Sequence, residues 1–384
     1  MRAFLRTSLV LGASLWIVAS TTPLHAQEEG GSSSDLEDEV QEAMDAAQEY
    51  QERFDNGIDA LSNGRYQEGI DDFTRCLELA PEFPQNSICA YNVACGYSLM
   101  EEIDSAFEWL ERSATMGFGQ VDGNIEHTGS DGDLANARAD AERWASFQER
   151  MSSINETIAA YTAQPAIYVP EAIAELEQKP ILLVLHDFGE RKEDVVAGDF
   201  RAVADQLGMA LVVPSGGFAP IESDPANGMS WIDEANGYAQ NIFAYQRGIS
   251  EAMRYVRTEI GMDRRRVLIV GIGQGSILAV NVAVSSPGLY KGVVAVGYNP
   301  LFLQLAQGRG PNAGRMGLKA RFLYGDIPGQ DMESFVQQAL LAQVEPWGLD
   351  VGHAIFDTEA SEGERAYGTA MLAALRECLP VEED

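Results

Sequence analysis

The sequence predicts a two-part chain: an all-α helical segment, then an α/β domain with a doubly wound, mostly parallel sheet. Apolar residues between about 47 and 151 recur at helical spacing. From about 165 onwards, short apolar runs alternate with amphipathic helices, which is typical of a parallel sheet covered on both faces. The 384 residues, 46% of them hydrophobic, are enough for two domains with separate cores.

Residues 1–26 have the features of an export signal. Arg2 and Arg6 form a positive start, an apolar stretch runs from Leu9 to Ala19, and small residues lead to a cleavage site after Ala26. The apolar stretch is shorter than the roughly 20 residues that span a membrane. We therefore expect an extracytoplasmic protein, periplasmic or secreted, with no integral membrane segment after cleavage. An uncleaved N-terminal anchor is the alternative.

The composition is strongly acidic. The formal net charge of −33 becomes −35 when Arg2 and Arg6 are removed with the signal. Nucleic-acid binding needs a basic surface, so this charge excludes that class of function. Residues 27–46 contain mainly Glu, Asp, Gly and Ser with few large apolar groups, which predicts a disordered acidic linker.

Four cysteines follow the signal, and their spacing matches no metal site. They are Cys76, Cys89, Cys95 and Cys378. We expect buried thiols, with a disulfide that involves Cys76 as the alternative in an oxidising compartment. Neither a metal nor a cofactor is expected.

A helical repeat occupies residues 47–151. The first copy contains Gly64, Tyr66, Gly69, Phe73, Cys76 and Pro81; the second contains Asn92, Ala94, Tyr97, Ala106 and Leu110. A further helix between Leu134 and Met151 caps the stack. The spacing resembles the tetratricopeptide repeat (TPR), since Gly69 and Ala106 are 37 residues apart. This resemblance implies a groove that binds a protein or peptide; a plain pair of helical hairpins is the alternative.

The α/β domain is expected over residues 165–380. The predicted strands are Ile181–Leu185, Ala210–Val213, Val267–Val270, Gly292–Val296 and Arg321–Leu323. The predicted helices are 193–207, 238–260, 275–286, 331–344 and 361–378. Ligands of such sheets bind at the carboxyl ends of the strands, so the informative residues follow the apolar runs.

One such site has glycine where a nucleophile is expected. After Val270, the residues Gly271-Ile272-Gly273-Gln274-Gly275-Ser276 lead directly into a helix. A G-x-S-x-G sequence at this place forms the strained turn of a serine hydrolase, with the serine at its apex. Here Gly271 and Gly275 are present, but Gly273 stands at the apex. Ser276 lies three residues later, in the first turn of the helix.

Residues 165–380 resemble the phospholipase/carboxylesterase group of α/β-hydrolases. The motifs that carry the resemblance are the turn at Gly271–Ser276, the segment Leu185–Gly189, the pair Ser230-Trp231 and the pair Gly352-His353. The resemblance implies a vestigial dyad of His353 with Asp326, Asp331 being the alternative acid. It also implies a pocket for a small ester or acyl ligand, lined by Asp187, Phe188, Gln274, Ser276 and Trp231.

The departures from the family pattern favour a protein that has lost catalysis. Gly273 removes the nucleophile, and Asp187 replaces a glycine of the oxyanion loop, where a carboxylate opposes a developing negative charge. The leading hypothesis is a non-catalytic binding protein. One alternative is an esterase-like hydrolase in which His353 and Asp326 activate a water. Another is a TPR scaffold whose hydrolase domain is structural only.

Overall fold

The chain forms two compact units, each with its own hydrophobic core. The computed structural model describes residues 33–79, 86–120, 123–231, 248–300, 303, 306, 308–326, 331–356 and 368–379. One unit contains the N-terminal helices up to Ile158 together with Phe218–Pro225, and the other contains the β-sheet. The signal predicted for residues 1–26 lies outside the described residues. Within the described part of the chain, no helix is long and apolar enough to cross a membrane.

The N-terminal unit is built from successive helices, the first four of which pack against their neighbours in the chain. Its helices are α1 (Ser33–Ser62), α2 (Tyr66–Leu79), α3 (Asn86–Leu99), α4 (Ile103–Thr115), α5 (Asn124–Ser130), α6 (Ala135–Ala139) and α7 (Ala141–Thr162). Helix α2 packs against α1 and α3, and α3 packs against α4. All-α organisation is therefore as the sequence predicts.

Small residues allow these helices to approach closely. A Cβ atom on Gly69 would lie 2.7 Å from Leu61 Cδ2, and one on Gly96 would lie 2.5 Å from Ile70 Cγ1. The cysteines of this unit are buried thiols, and Cys378 of the other unit is one as well. The Sγ atom of Cys89 lies 3.1 Å from the hydroxyl of Tyr50, inside the helical core.

The predicted linker and the predicted domain boundary need correction. Helix α1 begins at Ser33, so residues 33–46 are helical rather than disordered. The reason is composition, because Glu, Gln and Ala have high helix propensity. The capping region is also longer than predicted, since α7 continues to Thr162 instead of ending near Met151.

A short segment from the second half of the sequence, Phe218–Pro225, belongs to the helical unit. The side-chain amide of Gln120 donates to the carbonyl of Ala219 at 2.9 Å, and its oxygen accepts the N–H of Ala219 at 2.7 Å. The hydroxyl of Ser223 donates to the carbonyl of Ala114 at 2.7 Å. These bonds satisfy polar groups that burial would otherwise leave without partners.

The second unit contains a seven-stranded sheet of order β1-β3-β2-β4-β5-β6-β7, parallel except for β1. The strands are β1 (Ala166–Tyr168), β2 (Lys179–Leu185), β3 (Ala210–Val213), β4 (Met262–Ile272), β5 (Gly292–Val296), β6 (Lys319–Gly325) and β7 (Asp350–Phe356). Strand β3, the part of β2 after Lys179 and the second half of β4 are buried, as their continuous apolar runs predict.

Helices accompany the strands, as a doubly wound fold requires. They are α8 (Lys192–Ala197), α9 (Phe200–Leu207), α10 (248–255), α11 (Gln274–Ser285), α12 (Gly310–Arg315), α13 (Met332–Phe335), α14 (Ala342–Val344) and α15 (Gly368–Cys378). The predicted helix 193–207 is divided into two at Gly198. The first parts of the predicted helices 238–260 and 361–378 lie outside the described residues.

Both edge strands, β1 and β7, are absent from the strands that the apolar runs predict. Strand β1 has three residues, and β7 mixes polar residues and glycine with apolar ones. All but the first residue of β7 are half-buried, so the strand lacks the continuous apolar run that identifies a strand buried on both faces. This omission matters for the site, because His353 lies inside β7.

Candidate functional site: a glycine elbow filled by a carboxylate

The turn between β4 and α11 has the shape predicted for a nucleophile-bearing elbow. Gly273 has φ 48° and ψ −115°, a conformation that strains any residue with a side chain. The flanking glycines are required by close packing. A Cβ atom on Gly271 would lie 2.3 Å from the carbonyl oxygen of Gly275, and one on Gly275 would lie 2.3 Å from that of Leu185. The elbow is therefore retained in form.

The side chain of Asp187 occupies the space that a side chain at position 273 would fill. A Cβ atom built on Gly273 would lie 2.1 Å from Oδ1, 2.2 Å from Cγ and 2.2 Å from Oδ2 of Asp187. Real Cβ atoms do not approach other atoms this closely. A side chain at position 273 and the Asp187 carboxylate in its observed position therefore exclude each other.

Two backbone amides hold this carboxylate. The N–H of Gln274 donates to Oδ1 of Asp187 at 2.8 Å, and the N–H of Phe188 donates to the same oxygen at 2.7 Å. Gln274 is the first residue of α11, where the helix dipole favours negative charge. In α/β-hydrolases, the amide after the nucleophile and an amide of this loop form the oxyanion hole. We call these two N–H groups the amide cradle.

The loop that carries Asp187 is fixed at several points. The N–H of Asp187 donates to Oε2 of Glu190 at 2.9 Å. The N–H of Gly189 donates to the carbonyl of Met229, and the N–H of Met229 returns a bond to the carbonyl of Glu190. This pairing leaves the loop little freedom, so the position of Asp187 is determined by its surroundings.

His186 is buried, and its two ring nitrogens bond to backbone groups, which orients the loop. Its role is therefore structural rather than that of an acid/base group. Its Nε2 accepts the N–H of Gly216 at 3.0 Å, so Nδ1 carries the proton and donates to the carbonyl of Asp187 at 2.7 Å. Burial lowers the pKa of the imidazole, which keeps the ring neutral. Its position directly after a buried strand predicts such a loop histidine with satisfied hydrogen bonds, and both ring nitrogens are bonded to backbone groups.

Gln274 and Trp231 join the rim to the elbow. Oε1 of Gln274 accepts the N–H of Trp231 at 2.7 Å and the hydroxyl of Ser230 at 2.9 Å. The indole N–H of Trp231 donates to the carbonyl of His186 at 2.8 Å. Trp231 is only 2% exposed, so it packs in the interior, whereas Phe188 is 36% exposed. Of these predicted lining residues, Phe188 is the one that faces solvent.

Ser276 is buried beside the elbow and bonded to its backbone. Its hydroxyl donates to the carbonyl of Gly273 at 2.6 Å, and the residue is fully buried. The bond is a helix first-turn contact of the kind that serine often makes to nearby backbone. Ser276 therefore supports the turn.

His353 lies far from the elbow. Through the sheet register, His353 on β7 aligns with Phe322 on β6, Ala295 on β5 and Gly271 on β4. His353 and Gly271 are therefore three strand spacings apart, a lateral separation of about 14 Å. Its Nε2 lies 3.0 Å from both carboxylate oxygens of Glu333. The hydrogen bond to His353 is the main cause that lowers the pKa of Glu333.

The predicted pairing of His353 with Asp326 is not formed and needs correction. Asp326 continues the ladder beyond β6, where its N–H donates to the carbonyl of Phe356 at 2.8 Å. The register partner of His353 is Phe322, four positions earlier, so the two residues are separated by about 13 Å along the strands. The alternative acid, Asp331, caps α13 by accepting the N–H of Ser334, and this bond lowers its pKa.

The described residues contain no group of three or more His, Cys, Asp or Glu side chains arranged to hold a metal ion. The site consists of the elbow, the amide cradle and the carboxylate within it. Such an arrangement binds one negative charge, and the charge it binds is supplied by the chain itself.

Comparison with known proteins supports the fold of this unit. Residues 169–307 match the family model described as phospholipase/carboxylesterase. Among solved structures, esterase PE8 is 15% identical, with 56% of this chain and 99% of that chain covered and a TM-score of 0.43. A Bacillus cereus carboxylesterase is 11% identical, with coverages of 59% and 99% and a TM-score of 0.41.

An uncharacterised Bacillus cereus protein is 13% identical, with 86% of this chain and 98% of that chain covered and a TM-score of 0.37. No curated protein matches the sequence. The family match spans β2 to β5 and includes the elbow, and the observed sheet has the parallel order expected of it. The sheet-containing unit therefore has a mostly parallel, α/β-hydrolase-like fold, and most of the residues that match the phospholipase/carboxylesterase family model lie within it.

Proposed function

We propose that this protein is a non-catalytic relative of the carboxylesterases that acts by binding. The observation that carries the proposal is the elbow: it keeps the strained backbone at Gly273 but has no nucleophilic side chain. In serine hydrolases, loss of the serine alone lowers turnover by about a millionfold. The nearby hydroxyl of Ser276 is buried and bonded to the backbone, so it offers no replacement.

The hydrolase alternative lacks geometric support. A water-activating histidine has to lie within hydrogen-bond reach of the proton that it removes, directly or through one water. His353 is about 14 Å from the elbow across the sheet, and its carboxylate partner is Glu333. This separation supports a non-catalytic protein over a water-activated reaction at the elbow through His353.

The helical unit is the proposed binding module, of TPR type. The close contacts at Gly57, Gly69 and Gly96 are those expected of helix pairs that stack through small residues. Within this unit, a surface groove of about 530 Å³ is lined by Arg53, Gln67, Ile70, Asp71, Thr74, Arg75, Glu78, Tyr97 and Trp109. Aromatic side chains beside charged ones suit a protein or peptide ligand.

The location that we propose is extracytoplasmic. The support is the sequence of residues 1–26, with two arginines followed by an apolar stretch and small residues. The strongly negative charge of the rest of the chain suits a protein that stays apart from anionic surfaces. Partners of the helical unit are accordingly expected among exported proteins.

The test is hydrolysis of p-nitrophenyl esters, from acetate to octanoate, by the mature protein. We expect no saturable turnover, and His353→Ala should leave the background rate unchanged. His127→Ala, which removes an exposed histidine of the helical unit, is the matched control. Saturable turnover that His353→Ala abolishes would contradict the proposal and support the water-activated hydrolase.

A further inference from the structure

The amide cradle at the head of α11 is fully assembled although the nucleophile is absent. Two N–H groups converge on a single oxygen, at 2.8 Å from Gln274 and 2.7 Å from Phe188. The geometry matches the 2.7–3.1 Å that oxyanion donors require.

The group within the amide cradle is a carboxylate, which is also the functional group of the acid that ester hydrolysis releases. The carboxylate of Asp187 presents Oδ1 to the two amides, and both of its oxygens lie within 2.2 Å of the place for a Cβ atom at residue 273. A ligand carboxylate or a tetrahedral oxyanion would need the same oxygen position and would face a like charge. One cradle cannot hold both.

From these contacts we infer that Asp187 is an internal ligand that closes a competent carboxylate-binding site at the elbow. The inference rests on the proposed function only in taking the unit to be non-catalytic. Asp187 is the residue that closes the amide cradle to acyl ligands, because its carboxylate already accepts both N–H groups. Removal of the Asp187 side chain, without any change at the elbow, should open the site to a small carboxylate.

The experiment measures hexanoate binding by titration calorimetry at constant ionic strength. The native protein should show no saturable binding. Asp187→Gly should bind hexanoate at least tenfold more tightly than the native protein. Asp187→Asn keeps an oxygen and the volume in the cradle, so it should remain closed like the native protein. Asp194→Asn removes an exposed charge near the same loop and is the matched control.

Each outcome decides the inference. It is overturned when folded Asp187→Gly binds no better than the native protein, or when Asp187→Asn binds as well as Asp187→Gly. It is also overturned when the native protein binds hexanoate as tightly as Asp187→Gly does, because the Asp187 carboxylate then does not block the amide cradle. Since binding is measured without turnover, these results do not depend on whether the ester panel finds activity.

A second measurement on the native protein guards against misfolding of the variant. Selective ¹⁵N labelling of Gln and Phe reports the amides of Gln274 and Phe188, which share Oδ1 of Asp187. Both resonances should move together in an acid titration, with one common midpoint, and both should lose this response in Asp187→Asn. Independent midpoints, or no response, contradict the occupancy of the cradle.

Discussion

At the scale of single residues, positions 187 and 273 are coupled. Glycine at the apex was predictable from the sequence because the motif fixes which residue stands there. The filling of its side-chain space by Asp187 was not predictable in the same way. It depends on the side-chain conformation of Asp187, which lies 86 positions earlier in the chain. The sequence did indicate that a carboxylate in this loop opposes an oxyanion.

A double-mutant cycle tests this coupling. Gly273→Ser places a Cβ atom on the Asp187 carboxylate, so we expect it to destabilise the protein by about 1–3 kcal/mol through overpacking and backbone strain. In an Asp187→Gly background the overlap is absent, and the cost of Gly273→Ser should fall. Urea unfolding of the four proteins measures both values. Additive free energies would show that the two positions do not interact.

The buried histidine of the same loop predicts a dependence of stability on pH. Burial depresses the pKa of His186, so the unfolded chain binds its proton more readily than the folded chain. Stability from the neutral ring is present above the unfolded pKa of about 6.5 and is lost as the pH falls below it. His186→Gln should flatten this part of the curve, which urea unfolding at a series of pH values measures.

At the scale of elements, buried segments were more predictable than edges. Strands β3 and β5 have the bounds that their apolar runs predict, and α11 begins directly after the elbow as expected. The edge strand β7 was missed because a half-buried strand has no continuous apolar run. The family resemblance implied a dyad of His353 with Asp326, whereas His353 lies within β7 and its Nε2 is 3.0 Å from Glu333.

The helix pairs of the N-terminal unit should not tolerate larger residues at their contacts. Alanine has a higher helix propensity than glycine by about 1 kcal/mol, but a Cβ on Gly96 would overlap the side chain of Ile70. We expect Gly96→Ala to destabilise the unit by about 1–3 kcal/mol, as overpacked cores do. Gly129→Ala, where nothing lies within 4 Å of the new Cβ, is the control and should be neutral or stabilising. Thermal unfolding followed by circular dichroism distinguishes the two.

At the scale of the whole molecule, the helical unit is not one continuous stretch of the sequence. The domain boundary predicted near residue 151 assumed that a unit is one continuous stretch. The helical unit instead includes Phe218–Pro225, held by Gln120 and by the hydroxyl of Ser223. Local patterns do not reveal such long-range pairings, because the bonds run between a side chain and a distant backbone.

This organisation bears on the scaffold hypothesis, in which the helices act alone. A fragment of residues 27–162 lacks Phe218–Pro225, which belongs to the helical unit. We therefore expect the helices of the fragment to unfold at a lower temperature than the same helices in the full chain. In the full chain, Gln120→Ala should cost about 1–3 kcal/mol, since it leaves buried backbone groups of Ala219 without partners. Glu149→Ala, at an exposed position of α7, is the control. A fully stable fragment would contradict this account.

The central claim is that the protein has no activated nucleophile. The most direct measurement is intact-mass spectrometry after treatment of the mature protein with an alkyl fluorophosphonate, which modifies activated serines wherever they lie. We predict an unmodified mass under conditions in which an active serine carboxylesterase reacts completely. A stoichiometric adduct on one serine would contradict the claim, because it would show a working nucleophile outside the glycine elbow.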